Sequence, residues 1–330
     1  MSIKTKRVSL LTLTLILFIA GFLLSLLSGP VPPTLKDLLS LFSRTDNTHT
    51  AIIINLRLSR AFLAFLVGAS LSLSGAILQG YFQNPMACPF VVGVSSGASF
   101  GAVLSIFLGL KITVLGLSVQ SIFAFASGFA IVSAVYLFSQ RKSVFKVETL
   151  LLTGIAAGAL ASSLTSFLIF FKSESYEQAV FWLLGSFQLA EWKQITAVAP
   201  YFFICLAGAQ WLAKDMNLLV LGDETAQSLG CPVKRVRRIF LVMSTLLAAA
   251  SVAVSGIIGF VGLIMPHWVR ILVGPDHRYL FLFSSLAGGV FLVFSDLLAR
   301  TLLFPTELPI GIITAAVGAP FFIYLLNQRR

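Results

Sequence analysis

Residues 61–110 contain no aspartate, glutamate, lysine, arginine or histidine. A soluble domain of that length must turn a polar face to water every few residues, and charged side chains supply most of that face. A hydrocarbon layer imposes the opposite demand. Each helical crossing needs about 20 apolar residues, with every backbone donor and acceptor satisfied inside the segment. The uncharged stretch is long enough for two crossings and the turn between them. The rest of the chain suits the same solvent, with 58% hydrophobic residues, 11% charged residues and a mean hydropathy of +0.97. The expected fold class is an all-α polytopic membrane protein.

Apolar runs bounded by charge, proline or glycine place about ten transmembrane helices, at residues 8–28, 58–80, 90–109, 112–138, 149–171, 194–213, 238–257, 260–273, 279–300 and 308–326. The eighth is short. The first follows Lys4, Lys6 and Arg7 as a signal peptide would, but it is too long for one and no A-x-A-like site follows, so it is read as a retained span. With the amino terminus in the cytoplasm, 15 lysines and arginines fall inside and 8 outside, the asymmetry that the positive-inside rule demands. Both termini are then cytoplasmic. The net charge of +11 reports this topology and contact with lipid, with no nucleic acid implied.

A shift of 181 residues brings Arg57, Ser70, Ser74, Gly75, Pro85 and Gly93 onto Arg238, Ser251, Ser255, Gly256, Pro266 and Gly274. The shift spans an odd number of crossings, so the halves run oppositely through the membrane, as in transporters with inverted repeats. The chain is expected to form one transmembrane domain, 1–330, with pseudo-repeats at about 57–171 and 238–326.

Several motifs admit a chemical reading. Gly93, Ser95 and Gly97 have the G-x-S-x-G spacing of a serine hydrolase, with His267 far downstream. That motif needs a strand-to-helix elbow, whereas here it lies in an apolar helical run, where Gly93, Gly97 and Gly101 make a small-residue stripe for helix packing. Cys88, Cys205 and Cys231 lack metal-ligand spacing, so no metal and no cofactor is expected. Ion-coupled transporters bury carboxylates or histidines near the midplane, yet the spans hold almost none, and Asp296 has Arg300 one helical turn away as a partner. No P-loop is present. If ATP drives this chain, another subunit hydrolyses it.

The segment "LGDETAQSLGCPVKRVRR", residues 221–238, is soluble in character inside a hydrophobic chain. Asp223 and Glu224 open a short helix at its positive dipole end, and Gly230 closes it. Ala226 and Leu229, at i and i+3, are expected to present an apolar knob. The region at about 214–238 is either a solvated loop or a helix that docks on a cytoplasmic ATPase. Arg57, Arg60 and Arg300 lie at the outer ends of their spans, where the topology rule disfavours them, so they either reach for lipid headgroups or meet a partner. In the fifth span, Gly154, Gly158 and Ser162 recur along one face beside Thr153, and either pack or line a path. Lys146, Val147 and Glu148, in the turn before that span, are a candidate cytoplasmic gate.

Taken in order, "LRLSRAFLAFLVGASLSLSGAILQG", "NPMACPFVVGVSSGASFGA", "FWLLGSF", "LGDETAQSLG", "GFVGLIMPHWVR" and "ELPIGIITAAVGAPFFIYLL" resemble the FecCD-type (BtuC-like) permeases of ABC importers. The likeness covers nearly the whole chain. It implies a ten-span, non-enzymatic subunit in a bacterial or archaeal cytoplasmic (inner) membrane. The implied partners are a second copy of itself, two cytoplasmic ATPase subunits and a periplasmic substrate-binding protein. It further implies that the "LGDETAQSLG" region couples to the ATPase, that Arg57, Arg60 and Arg300 receive carboxylates of the binding protein, and that the path follows the fifth span. The implied cargo is a metal chelate, iron-siderophore first, with haem, cobalamin and molybdate as alternatives; an intramembrane hydrolase using Ser95 is the rival from another class. Met86 and Cys88 stand where many relatives carry Leu and Asp.

Overall fold

The computed structural model describes residues 3–28, 51–114, 116–140, 147–171 and 176–327. It opens with α1 (Ile3–Leu27). A π-helical turn (Ile53–Leu58) leads into α2 (Ser59–Tyr81), and a 3-10 turn (Pro89–Val92) into α3 (Val94–Phe107). A two-stranded antiparallel hairpin, β1 (Thr113–Val114) and β2 (Leu117–Ser118), pairs Thr113 with Ser118. Then come α4 (Val119–Gln140), α5 (Val147–Phe171), α6 (Tyr176–Leu183), α7 (Trp192–Trp211), α8 (Ala213–Leu219), α9 (Asp223–Ser228), α10 (Val233–Ser255), α11 (Val261–Val273), α12 (His277–Thr301) and α13 (Ile310–Asn327).

The chain is an all-α multi-pass membrane protein, and each of the ten expected runs coincides with a helix. Among the described residues six helices are long and apolar enough to cross a membrane, or seven when α7 and α8, bent by 62°, count as one span. The runs expected third, eighth and tenth are the shorter apolar helices α3, α11 and α13. Two of the boundary differences from expectation have a visible cause. The fourth run gives its first residues to the hairpin, where Gly116, at φ +80°, turns the chain. The sixth bends at Leu212 because Ala213, Met216 and Leu219 on α8 all bury into the core under the bundle.

Lipid is as apolar as leucine, so span association rests on close packing rather than on escape from water. Accordingly α1, α4 and α5 keep large apolar side chains such as Ile16, Leu137 and Phe170 exposed. The small-residue helix α2 is buried almost throughout and packs on α12, α10 and α11. The tightest approach is at Gly75, where an added Cβ would lie 1.8 Å from the Gly262 carbonyl oxygen of α11. Ser74 donates to the Ser244 carbonyl of α10 at 2.7 Å, and Gln79 to the Leu263 carbonyl of α11 at 3.0 Å. The 181-residue repeat is offset at the helix ends: Gly75 lies inside a continuous helix, whereas Gly256, at φ +69°, ends one.

Candidate functional site

At one end of α2 the short helix α9 carries Asp223 and Glu224 in its first turn. Its end is built by local chemistry. Gly230 takes φ +84°, its N–H donates to the Gln227 carbonyl at 3.0 Å, and Cys231 N–H donates to the Ala226 carbonyl at 3.0 Å, the paired bonds of a Schellman cap. The expected knob is not formed. Ala226 is fully buried in a core with Met216, Leu219, Cys231 and Val236, while Leu229 is 59% exposed. Leu229 is the C-cap residue beyond the last helical position, so the i, i+3 periodicity does not extend to it. The exposed apolar surface here is Leu229 with Leu221 and Val220.

Arg237, read from the sequence only as a topology charge, organises this end. It is buried in the first turns of α10, and its Nε donates to both Asp223 carboxylate oxygens at 3.1 and 3.2 Å. Its Nη1 donates to the Tyr81 carbonyl at 2.7 Å, in the last turn of α2, and the guanidinium lies 5.0 Å from the Tyr81 ring centroid. One side chain thus ties together α2, α9 and α10. A second tie joins α8 to α12: Asn217 donates to Asp276 at 2.8 Å and accepts from His277 N–H at 3.0 Å. Hydrogen bonds from Arg278 and Asn217 hold the Asp276 carboxyl well below the usual carboxylate range, against the opposing effect of burial.

At the other end of α2, Arg60 is the hub. Its Nε donates to both oxygens of buried Asp296 at 3.1 Å, its Nη2 to Oδ1 at 2.9 Å, and its Nη1 to Glu307 Oε2 at 2.9 Å. The expected Asp296–Arg300 ion pair is present, and Arg60 adds a more extensively hydrogen-bonded partner to it. Arg300 Nε lies 3.2 Å from Asp296 Oδ2, close enough for Coulombic attraction but outside hydrogen-bond angles, and Arg300 Nη2 donates to Ser25 at 2.7 Å. Arg57 Nη1 donates to the Leu26 carbonyl at 2.7 Å. Arg57, Arg60, Arg300, Glu307 and Gln188 line one cavity of about 840 Å³. Glu307 opens one of the quoted motifs, yet nothing in its local pattern marks it as a partner of a residue 247 positions away.

The fifth-span residues divide between two faces. Gly154 and Gly158 are buried, and a Cβ at Gly154 would stand 3.0 Å from the Val91 carbonyl and one at Gly158 3.3 Å from Ser96 Oγ. Ser162, exposed, donates to Ser96 Oγ at 3.2 Å. Thr153 faces an apolar groove shared with α4. Of the gate trio, Lys146 lies outside the described residues, Val147 begins α5, and Glu148 is exposed in its first turn.

Ser95 is no hydrolase nucleophile. Gly93, at φ +93°, ends the 3-10 turn and caps α3, and Ser95 lies buried inside that helix. Among the described residues no strand precedes it to form an elbow. Gly97 and Gly101 seat α3 on α4, where a Cβ would meet Ser127 and Phe123 atoms at 2.0 to 2.9 Å. Ser95→Ala is expected to leave transport within about two-fold of wild type, since a buried hydroxyl of this kind contributes little net stability. Cargo uptake in cells, normalised to chain abundance, checks it; complete loss at normal abundance would restore a chemical role.

The model of the FecCD transport family matches residues 16–328. The chain belongs to the FecCD transport family. This permease is 44% identical over 282 residues to a cobalamin import system permease protein, BtuC, of Halobacterium salinarum, covering 86% of this chain and 75% of that one. It is 37% identical over 330 residues to an Fe(3+)-citrate import system permease protein, YfmD, of Bacillus subtilis, covering 99% and 97%. Among solved structures it is similar to a metal-chelate type ABC transporter in an inward-facing conformation, with a TM-score of 0.87 and 33% identity over 97% of this chain and 99% of that one.

Proposed function

We propose that this FecCD permease works as a homodimer above two separate ATPase subunits and takes metal chelates from a substrate-binding protein, with ferric siderophores the first cargo to test. The carrying observation is the layout of α2 and α12. A sheltered cationic cavity stands at one end of this helix pair and an exposed, backbone-capped helix, α9, at the other. The two ends suit two different protein partners. The cavity offers Arg57 and Arg300 beside Arg60 to acidic side chains of a binding protein. The α9 end offers Glu224, Leu229 and Leu221 to an ATPase groove, with Asp223, Ala226 and Gly230 holding that surface in place. Both termini are then cytoplasmic. Thr153, Gly154, Gly158 and Ser162 are proposed to follow the path, with residues 146–148 at its inner mouth.

The named relatives carry different chelates, cobalamin and ferric citrate, so the proposal is made for the class. In nanodiscs holding the chain with its ATPase, addition of binding protein loaded with a ferric siderophore should stimulate ATP hydrolysis and move labelled iron across the bilayer. Hydrolysis indifferent to every loaded binding protein would remove the proposal.

A further inference from the structure

Arg238 follows Arg237 directly but faces away from the core, and nothing in the transport reading uses it. Its Nε donates to the Tyr136 hydroxyl at 3.1 Å, across from α10 to α4, and Gln140 Nε2 donates to the same oxygen. Among the described residues no carboxylate lies within ion-pair distance of Arg238. The side chain is therefore oriented through Nε, and its two terminal nitrogens remain for a ligand.

Arg238 and Tyr136 close one end of a groove of about 220 Å³ between α4 and α10. Its walls are mostly apolar, with Phe129, Val132, Leu137, Leu241 and Val242 beside Ser133 and Thr245. From Phe129 to Tyr136 it follows about 10 Å of helix, at 1.5 Å per residue. Both helices are long and apolar enough to be membrane spans, so an occupant has to come from the bilayer. The end that carries Arg238 is the end that carries the Asp223–Arg237 pair, and exposed Lys234 and Arg235 precede it on α10. A fixed guanidinium at the mouth of an apolar groove is complementary to one kind of membrane molecule, an acyl chain joined to an anionic phosphate.

We propose that the α4–α10 groove binds an anionic phospholipid, with its phosphate on the terminal nitrogens of Arg238 and an acyl chain along the apolar walls. Tyr136 is a positioning residue that sets the guanidinium. The site is independent of cargo and of the protein partners, and only the choice of leaflet rests on the proposed orientation.

The full chain in nanodiscs of mixed phosphatidylcholine and phosphatidylglycerol tests this, with retained lipid read by native mass spectrometry. Wild type should retain phosphatidylglycerol over phosphatidylcholine. Arg238→Ala should reduce that preference on the order of ten-fold, the loss of one hydrogen bond to a charged group. Tyr136→Phe should reduce it less. Arg235→Ala, which removes the same charge outside the groove, should leave it unchanged. An equal loss in Arg235→Ala would mean diffuse surface charge and overturn the site. So would an unchanged preference in Arg238→Ala, displacement of the lipid by inorganic phosphate alone, or a crosslink from Leu137 to a second copy of this chain. Thermal melting of each variant in pure phosphatidylcholine separates lipid loss from misfolding.

Discussion

Replacing Arg237 with lysine should leave a folded permease that no longer couples ATP hydrolysis to transport. The guanidinium reaches two partners at once, with Nε and Nη2 on Asp223 and Nη1 on the Tyr81 carbonyl. An ammonium carries its donors on one atom of a shorter, flexible stem and cannot reproduce the guanidinium's planar fork across both partners, so the tie between α9 and α2 loosens while the charge stays. Asp223 is about half exposed, so the stability lost is that of a hydrogen bond to a charged group rather than of a buried ion pair, about 1.5–3 kcal/mol. The functional loss should be larger on the proposed reading, in which the exposed helix α9 meets the ATPase, because Arg237 is the side chain that ties α9 to α2. The readout is cargo delivered per ATP hydrolysed, alongside a melting curve. Asp223→Asn keeps the carbonyl acceptor and should fall between wild type and Arg237→Lys. A full transport ratio in Arg237→Lys, with a lowered Tm, would make the clamp purely structural.

What was legible in the sequence follows the range of the interaction concerned. The spans were legible because a lipid solvent acts on each residue singly, and an uncharged run reports it without reference to the rest of the fold. The end of α9 was legible for a similar reason, since the Gly230 cap closes within six residues. The bend at Leu212 was not, because it is driven by the burial of Met216 and Leu219 against helices distant in sequence. The reading of Ala226 with Leu229 failed by extending helical periodicity one residue beyond the helix. The Asp296–Arg300 ion pair is legible because i and i+4 place both residues on one helix face. The stronger partner, Arg60, is 236 residues away, and Arg237 meets the Tyr81 carbonyl across 156. Neither pairing leaves a local pattern.

Arg57, Arg60 and Arg300 should therefore separate into one that holds the fold and others that face a partner, and the variants that distinguish them differ in kind. Arg60 and Asp296 are nearly fully buried and joined by three hydrogen bonds, so removing either leaves the other with only its secondary partner, Glu307 for Arg60 or Arg300 for Asp296, in a medium that solvates charge poorly. Arg60→Ala or Asp296→Ala should each cost about 3–5 kcal/mol, seen as a marked fall in Tm and in the amount of assembled chain. The double variant should cost less than the sum, because both single changes forfeit the same pair. A docking measurement on Arg60 variants would consequently report misfolding. Arg57 is the cleaner probe, since Arg57→Gln removes the charge from the cavity while leaving the Arg60–Asp296 pair in place. Its Tm should stay near wild type. Its affinity for the loaded binding protein should fall on the order of 30-fold, the equivalent of about 2 kcal/mol for one lost charge-assisted contact, and the remaining affinity should depend less steeply on salt. If Arg57→Gln binds as tightly as wild type at low salt while Arg60→Ala still unfolds, the cavity is a structural ion cluster and the binding protein docks elsewhere.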